Sequence, residues 1–441
     1  MRFARRAVAR TSAACLFLVW SVAISSAQPP LRLPTLDPSS TGITIDDAVR
    51  EAIDRNLTLV AERYSVSVAQ ARILAARLRP NPVFTYNAML PDRVLYDTAT
   101  NPSEHVFRTD VIFEGGGKRE RRIDVAERAR SVAELQLLNT MRTIVLDVQS
   151  AFVDIVLATA NLAVARESLD AFNGLVQVNT ERVRAGDLAQ VELSRSRLAA
   201  LQFQNDVRQQ ASKLVIAQNK LKTLMGRTGP EPIAVAGELR RDTQPVELNV
   251  VRQRALGRRP DVEALRRDQA RSTADVRLQI AQGKVDYTVS GELHRQRAPH
   301  DIAGNVYGVY VSVPIPLFNR NQGEIERARQ EEQQIAAKMR ALEAQVVNEV
   351  QAAYEAYSAS RDVVESIETW MLAQARDVRA TTEYSYRRGE ASFVELLDAV
   401  RAFNETMLSY NDARAELARS LYSLDATSGG SLDALPLKVT P

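Results

Sequence analysis

The residues of this chain that could act together on a charged solute are carboxylates. Glu395 and Asp398 lie three residues apart, which places both on the same face of a helix. Glu192 lies 203 residues before Glu395 in a similar local sequence, whereas Arg195 stands where Asp398 would repeat. Such carboxylates can attract cations, or they can be ordinary solvated helix charges of the kind that Arg401 also represents. The residue types alone leave both interpretations open.

Each of these carboxylates follows a predicted sharp turn between two helices. Gly389 ends the segment Tyr386-Arg-Arg-Gly, and glycine readily takes the positive φ that is needed just past a helix C-terminus. Ser392 then fits the N-cap of the next helix. Gly186 ends the similar segment Val183-Arg-Ala-Gly, so we predict that one helical hairpin is present twice.

A glycine-rich segment, Gly115-Gly-Gly-Lys118, resembles a phosphate-binding loop. The Walker pattern would require Gly at position 112 and Ser or Thr after the lysine, but the chain has Ile112 and Arg119 at these places. We therefore predict a flexible connector between a strand and a helix rather than a nucleotide site.

Histidines and cysteines provide no obvious reactive set. The histidines lack the close spacing of a metal cage and are expected to be solvated: His105, His294 and His300. The single cysteine, Cys15, lies in the N-terminal segment, so no thiol chemistry is expected in the exported chain. With no Ser/His/Asp or Cys/His combination, the sequence predicts no enzyme, no metal site and no cofactor.

The N-terminal 27 residues predict export. Four arginines precede an apolar core from Ala13 to Ile24, and small residues precede Gln28, as in a secretory signal peptide over residues 1–27. Without those four arginines, the basic residues number one fewer than the 54 acidic residues, so no nucleic-acid partner is expected. No later run of roughly 18 or more apolar residues follows, which argues against a transmembrane helix.

The remaining sequence reads as two copies of a helix, hairpin and long-helix plan, and Ala255 and Tyr287 repeat Ala52 and Phe84 at a shift of 203. The predicted boundaries are a Pro-rich leader over 28–43, a first repeat over 44–228, a linker over 229–245, a second repeat over 246–429 and a tail over 430–441. The predicted strands cover residues 83–90, 106–113, 286–294 and 305–313. The long helices are predicted from Lys118 to Arg184, roughly 100 Å in length, and from Gly323 to Arg387.

The strands alternate between an apolar and a polar face. In the third strand, Tyr287, Val289 and Leu293 lie on one face, and charged or hydroxyl side chains lie on the other. The chain offers no second sheet to cover the apolar faces, which leaves a closed membrane barrel with lipid outside and water inside. Because about eight strands are the practical minimum for a barrel, several chains must share it.

Three motifs, combined with this duplicated plan, closely resemble the TolC-like outer-membrane efflux factors. They are Phe113-Glu-Gly-Gly-Gly-Lys-Arg119, Val313-Pro-Ile-Pro-Leu-Phe-Asn-Arg-Asn-Gln-Gly323 and Tyr386-x-x-Gly389, and the resemblance covers residues 44–429. It implies a mainly α protein with membrane β structure: a homotrimer with a twelve-stranded β-barrel in outer-membrane lipid, continuous with a periplasmic twelve-helix α-barrel. It also implies a periplasmic adaptor and an inner-membrane transporter as partners. The glycine-rich and Pro-Leu-Phe motifs most resemble the heavy-metal and cation branch.

The same resemblance assigns roles to the turns and the carboxylates. It implies that Glu395 and Asp398 line a narrow periplasmic gate, to which Glu192 contributes, and that rings of acids there favour cations. It further implies that the two turns dock to the adaptor through Arg184, Gly186, Asp187, Tyr386, Arg388, Gly389 and Glu390.

Two other functional classes stay open at this point. The first is an exported periplasmic helical scaffold or adaptor without a pore, and the second is an exported hydrolase. An exit duct of an efflux pump is the leading interpretation, because it explains strands that are apolar on one face. Its cargo is not defined by any of these residues.

Overall fold

The computed structural model describes residues 42–89, 103–242, 246–297 and 303–431. Within these ranges the helices are α1 (Ile45–Arg55), α2 (Leu57–Arg77), α3 (Lys118–Ala185), α4 (Gln190–Leu224), α5 (Leu248–Arg258), α6 (Pro260–Gln282), α7 (Gln322–Ser366), α8 (Leu372–Arg388) and α9 (Phe393–Ser428). The strands are β1 (Val83–Met89), β2 (Glu104–Phe113), β3 (Tyr287–Arg297) and β4 (Ala303–Ser312). The predicted signal peptide, the leader up to residue 41 and the tail after residue 431 lie outside the described residues, as do Cys15, Leu90 and His300.

The two repeats have equivalent internal contacts. The guanidinium of Arg63 in α2 donates to the carbonyl of Ile53 in α1 at 2.8 Å. At a shift of 203 residues, Arg266 in α6 donates to the carbonyl of Leu256 in α5 at 3.1 Å. The bend between the two short helices is therefore built twice from the same contact, as the duplicated sequence predicts.

The strands form one antiparallel sheet in the order β1-β2-β3-β4. The two predicted hairpins are joined, because β2 of the first repeat pairs with β3 of the second and Phe107 lies opposite Leu293. Pairing along the strands also lengthens β2 and β3 beyond their predicted ends, to Glu104 and Arg297. Among the described residues, β1 and β4 each pair with one strand, so the sheet has two open edges.

The long helices of the two repeats differ in regularity. α3 is a continuous helix of 68 residues, close to the predicted helix. In the second repeat, a five-residue π-helical segment, Ile367–Met371, separates the 45 residues of α7 from the 17 residues of α8. The prediction of one regular helix from Gly323 to Arg387 is wrong here, because a π-bulge needs neither proline nor glycine and leaves no simple sequence pattern.

Apolar side chains form a core in each repeat and a third cluster at the hairpin ends. Val148 of α3 and Leu221 of α4 are fully buried in the first core, and Val350 of α7 is fully buried in the second. The third cluster joins the two hairpins through residues such as Phe172 of α3 and Phe393 of α9. The hairpins therefore pack against each other along an apolar surface near their turns.

One 18-residue window of α3 has a mean hydropathy of 1.6, enough by composition to cross a membrane, and 44% of this window is buried in the protein. The sequence criterion of an uninterrupted apolar run misses the window, because single polar residues break the run. The buried apolar residues of α3, such as Val145 and Ile155, belong to the first core. Packing against neighbouring helices therefore explains why these residues of α3 are apolar.

The glycine-rich connector between β2 and α3 is fixed by contacts, contrary to its predicted flexibility. The ammonium of Lys118 lies 2.7 Å from Oδ1 of Asp286, and the N–H of Gly115 donates to the same oxygen at 2.8 Å. A Cβ atom on Gly115 would lie 2.0 Å from the carbonyl oxygen of Val285, so glycine is required by close approach. The segment ties the first repeat to the start of β3.

Candidate functional site at the hairpin ends and the sheet

Both helical hairpins turn at a glycine with positive φ. The φ angle is 84° at Gly186 and 79° at Gly389, a region that a side chain with a Cβ adopts only at a cost. The residue after each glycine donates its backbone N–H across the last helical turn, from Asp187 to Arg182 at 2.8 Å and from Glu390 to Ser385 at 2.9 Å. These are the hydrogen bonds of the Schellman motif, and the predicted glycine-ended turns are confirmed.

Tyr386 lies inside the contact between the two hairpins. Its side chain is 6% exposed, and its hydroxyl donates to Oδ1 of the fully buried Asn179 at 3.1 Å. Its ring centroid is 6.4 Å from that of Phe393, and Phe172 and Phe203 lie 4.5 Å apart in the same cluster. A side chain buried in this way holds the second turn in place but presents no surface to another protein.

The other residues of the predicted docking turns are at the surface. The side chains of Arg184, Asp187, Arg388 and Glu390 are all exposed. Arg184 pairs with Glu181 of its own helix at 2.6 Å, and the guanidinium of Arg388 lies 4.4 Å from the ring centroid of Tyr384. The hairpin ends thus present both charge signs on two short turns, and their role in docking stays a prediction.

Glu395 and Asp398 are both exposed near the start of α9, but their surroundings differ. Glu395 accepts a hydrogen bond from the backbone N–H of Ser392 at 2.6 Å, and the Ser392 hydroxyl accepts from the N–H of Glu395 at 3.3 Å. This capping box confirms Ser392 as the N-cap. The backbone hydrogen bond from Ser392 holds the pKa of Glu395 below its usual value, so the carboxylate stays ionised to a lower pH than a free glutamate. Asp398 forms no hydrogen bond or ion pair with another described residue.

The charge of Glu192, the carboxylate of the first repeat, is compensated by an ion pair within its own helix. Oε1 of Glu192 lies 2.9 Å from the guanidinium of Arg195, the residue that replaces Asp398 in this repeat. The other oxygen, Oε2, is buried without a hydrogen-bond partner among the described residues. The structure therefore places two exposed carboxylates on the second hairpin and one compensated carboxylate on the first.

A line of polar contacts between α3 and the second hairpin was not predicted from the sequence. The pairs are Asn161 with Asn411 at 2.9 Å, Ser168 with Asn404 at 3.0 Å and Asn179 with Tyr386 at 3.1 Å. Because a buried polar group left without its partner is costly, such pairs favour one relative position of the helices. The sequence does contain a signal for these contacts, because polar residues occur at helical positions that otherwise carry buried apolar residues. Asn161 and Ser168, seven residues apart on α3, are two examples.

The linker between the repeats is attached to the π-helical segment. The carboxylate of Glu368 accepts two hydrogen bonds from Arg241 of the linker, at 2.7 and 3.0 Å, and one from the hydroxyl of Tyr410 in α9 at 2.8 Å. Burial opposes ionisation of Glu368, but the bonds from Arg241 and Tyr410 outweigh it and lower the pKa of this carboxyl. Three separate parts of the chain thus meet at one carboxylate.

The sheet has the two faces that the alternating sequence predicts. Cross-strand partners point to the same side, and Tyr86, Phe107, Leu293 and Tyr307 form one such row over all four strands. On this face Tyr307 is 78% exposed and Val309 is 80% exposed. Apolar side chains this exposed, side by side on one sheet, indicate a surface that another phase or another molecule covers.

The opposite face of the sheet is polar and hydrogen-bonded across strands. Arg108 lies 2.8 Å from Oδ1 of Asp110 and donates to the hydroxyl of Ser290 at 3.1 Å. The hydroxyl of Tyr310 donates to Glu292 at 3.3 Å. This face has charges suited to contact with water.

The two described histidines lie on opposite faces of the sheet. Nδ1 of His105 is 2.9 Å from the hydroxyl of Tyr86, on the apolar side. His294 is on the polar side, where its Nε2 lies 3.4 Å from Oε2 of Glu104. His294 is only partly exposed, so the expectation of a freely solvated histidine is wrong for this residue. In the described part of the chain, no three potential ligands among His, Cys, Asp and Glu lie close enough to hold a metal ion.

The sequence profile of outer membrane efflux proteins matches residues 48–227 and 251–430. These two stretches cover nearly all of the two structural repeats and account for most of the chain. The chain belongs to the outer membrane efflux protein family. It is 23% identical over 388 residues to the cobalt-zinc-cadmium resistance protein CzcC of Cupriavidus metallidurans, which covers 88% of this chain and 90% of that protein.

Solved structures with the same fold include outer-membrane channels. CusC matches with a TM-score of 0.72 at 18% identity, over 88% of this chain and 92% of that chain. The open state of the MtrE outer-membrane channel of Neisseria gonorrhoeae matches with a TM-score of 0.71 at 15% identity, over 88% and 89%. The fold is that of the TolC-like efflux proteins. Membership of this family supports an outer-membrane location and is consistent with a protein that is not an enzyme.

Proposed function

We propose that this protein is the outer-membrane exit duct of a tripartite efflux pump, and that it works as a homotrimer. The observation that carries the proposal is the sheet, with its exposed apolar face and its two open edges. Four strands cannot enclose a channel, because about eight are needed for a barrel. Three copies would supply twelve strands, with the apolar face toward outer-membrane lipid and the polar face toward a water-filled interior.

In this proposal, the helices of three copies form a periplasmic tube whose far end bears the two turns. The exposed charged side chains beside Gly186 and Gly389 would contact a periplasmic adaptor. This adaptor connects the duct to an inner-membrane transporter. Tyr386 would act there indirectly, by holding the second turn against Asn179. The duct itself would be passive, since energy enters at the inner-membrane transporter.

The gate would be formed by the second hairpin. In a trimer, Glu395 and Asp398 would each become a ring of three negative charges, and low-dielectric walls would focus their field on passing ions. Glu192 would contribute less, because Arg195 compensates its charge. This arrangement favours cations, and the relative named for cobalt, zinc and cadmium resistance supports metal cations as cargo alongside other small molecules.

The test is conduction by the purified full chain. Trimers that resist heat on a detergent gel, together with single-channel current in a planar lipid bilayer, are the expected result. An exported scaffold or adaptor without a pore is the alternative, and it would give no current even as a stable oligomer. A heat-denatured sample of the same preparation serves as the control for leakage of the bilayer.

A further inference from the structure

An acid and a histidine from different repeats face each other on the polar side of the sheet. Glu104 belongs to β2 and His294 to β3, and their side chains are separated by 3.4 Å between Oε2 and Nε2. This distance is longer than the usual 2.9–3.0 Å, roughly, of an N–H···O hydrogen bond. Nε2 of His294 is buried and has no hydrogen-bond partner among the described residues.

The carboxylate of Glu104 is held in this position by a neighbour. The side-chain amide of Gln296 donates to Oε1 of Glu104 at 2.8 Å. Because Oε1 is engaged in this way, Oε2 is the oxygen that remains directed toward His294. Metal-binding carboxylates in proteins are commonly oriented in this way, by a hydrogen bond from a neighbouring group to the carboxylate.

The separation of the two atoms allows both of them to bind one ion. Zinc binds imidazole nitrogen and carboxylate oxygen at about 2.0–2.1 Å, which places two neighbouring ligand atoms of a tetrahedron roughly 3.3–3.4 Å apart. At 3.4 Å apart, Nε2 and Oε2 are near enough to bind one ion together, and an imidazole nitrogen with a carboxylate oxygen is a ligand pair that zinc takes.

The charge of Glu104 is available to such an ion. Its side-chain contacts among the described residues are the amide of Gln296 and the ring of His294, neither of which is a permanent cation. The nearby Arg108 on the same face is hydrogen-bonded to Asp110 and Ser290 instead. Within the part of the chain that the structure describes, the pair thus offers a carboxylate oxygen and an imidazole nitrogen with no guanidinium in contact with either.

We propose that Glu104 and His294 form a two-ligand site for a divalent cation of the zinc type on the inner wall of the duct, with water as the remaining ligands. This inference rests on the proposed function, since the polar face becomes an inner wall only when three sheets close into a barrel. Two protein ligands bind more weakly than the three or four of a resident zinc site. Weak binding suits an ion in transit, which must be attracted into a pore and released from it.

The experiment measures Zn²⁺ binding by purified trimers of the full chain, by isothermal titration at neutral pH in an excess of Mg²⁺. The test variants are His294→Asn and Glu104→Gln. The matched control is His105→Asn, which removes a histidine from the opposite face of the same sheet. The parent and the control are expected to bind one Zn²⁺ per chain. Both test variants are expected not to bind this ion. Gln296→Leu keeps both ligands and should weaken binding about tenfold, because the carboxylate loses its orientation.

Two results would overturn the inference. One is equal zinc binding by the parent and His294→Asn, and the other is loss of the same zinc in His105→Asn. Each variant must run as a heat-resistant trimer, which separates a lost site from a lost fold. Trimers that conduct current but show no zinc binding dependent on His294 would contradict this site alone. Absence of trimers and current in the parent would instead contradict the proposed duct.

Discussion

The two repeats are alike in their strands and turns and differ along their long helices. α3 is continuous over 68 residues, whereas the π-helical segment Ile367–Met371 interrupts the second repeat. The start of the returning helix differs too: α4 begins after Ala189 without a side-chain cap, and α9 begins with the Ser392–Glu395 capping box. π-Bulges occur frequently at functional sites. The comparison therefore predicts that the first hairpin is the static support and the second is the one that moves.

The largest expected effect comes from the sheet, where the repeats should respond alike. Val309→Arg in β4 and Phe107→Arg in β2 each place a charge on the apolar face. Each should hinder trimer assembly in the membrane, at a cost of about 2–4 kcal/mol if the site lies at the bilayer midplane. The yield of heat-resistant trimers measures this. Val306→Arg, on the polar face of β4, is the control and should assemble; normal yield from both test variants would count against the barrel.

A smaller effect is expected at the two turns, again alike in both repeats. Gly186→Val and Gly389→Val force a β-branched residue to adopt positive φ, at about 1–2 kcal/mol or more. We expect less crosslinking to the adaptor and less export, with trimers still in the membrane. Gly174→Ala, inside α3 with open space around its Cβ position, is the control and should be harmless. Unchanged crosslinking in both valine variants would move the docking site away from the turns.

The third prediction is an effect on the second repeat that the first repeat should not show. Glu368→Gln weakens the contact between the linker and the π-helical segment, and exposed ion pairs of this kind contribute about 0.2–1 kcal/mol. Amide exchange should become faster at residues 367–371 and stay unchanged at residues 164–168, the corresponding part of α3. Equal exchange in both regions would remove the basis for a mobile second hairpin.

The lowered pKa of Glu368 gives this contact a pH dependence. A carboxyl whose pKa is lower in the folded state stabilises the fold at neutral pH, and this contribution is lost as the pH falls through the folded pKa. The difference in exchange between the parent and Glu368→Gln should therefore shrink on acidification. A difference that stays constant down to strongly acidic pH would show that the charge of Glu368 is not the cause.

The last effect, of similar size to the third, concerns the gate. Glu395→Gln with Asp398→Asn removes both exposed charges, and glutamine can still complete the capping box. The preference for cations over anions should fall by about two- to fivefold, a change of at most about 1 kcal/mol that suits solvated charges. Reversal potentials in planar bilayers measure it. Glu192→Gln should change the preference less, because Arg195 already compensates that charge; an equal change would place the gate on both hairpins.

Local patterns in the sequence predicted the repeats, the glycine turns, the Ser392 N-cap and the two-faced strands, because each depends on residues close together in the chain. Contacts between distant residues were missed, including Asn161 with Asn411 and Glu368 with Arg241. The π-helical segment was missed as well, because it arises from packing and not from a proline or glycine that interrupts the helix. Tyr386 shows the same limit, because a residue in a predicted docking turn proved to be buried against the other hairpin.

In the proposed trimer, the open sheet of one chain closes by pairing with the sheets of two neighbouring copies. In one four-stranded sheet, β1 and β4 are about 14 Å apart, beyond the roughly 7 Å between Cα atoms that a disulfide can bridge. Thr85→Cys on β1, combined in turn with Val306→Cys, Tyr310→Cys or Ser312→Cys on β4, therefore tests contact between chains. All four positions are on the polar face, and the predicted exported chain has no other cysteine.

Mild oxidation of outer membranes containing these variants is the most direct measurement. If three chains share one barrel, at least one pair should give covalent trimers on a denaturing gel without reducing agent, and these trimers should return to monomers on reduction. Each single-cysteine variant should give no trimer. Monomers alone from every pair, with both cysteines shown to react with a maleimide, would contradict a barrel shared by three chains.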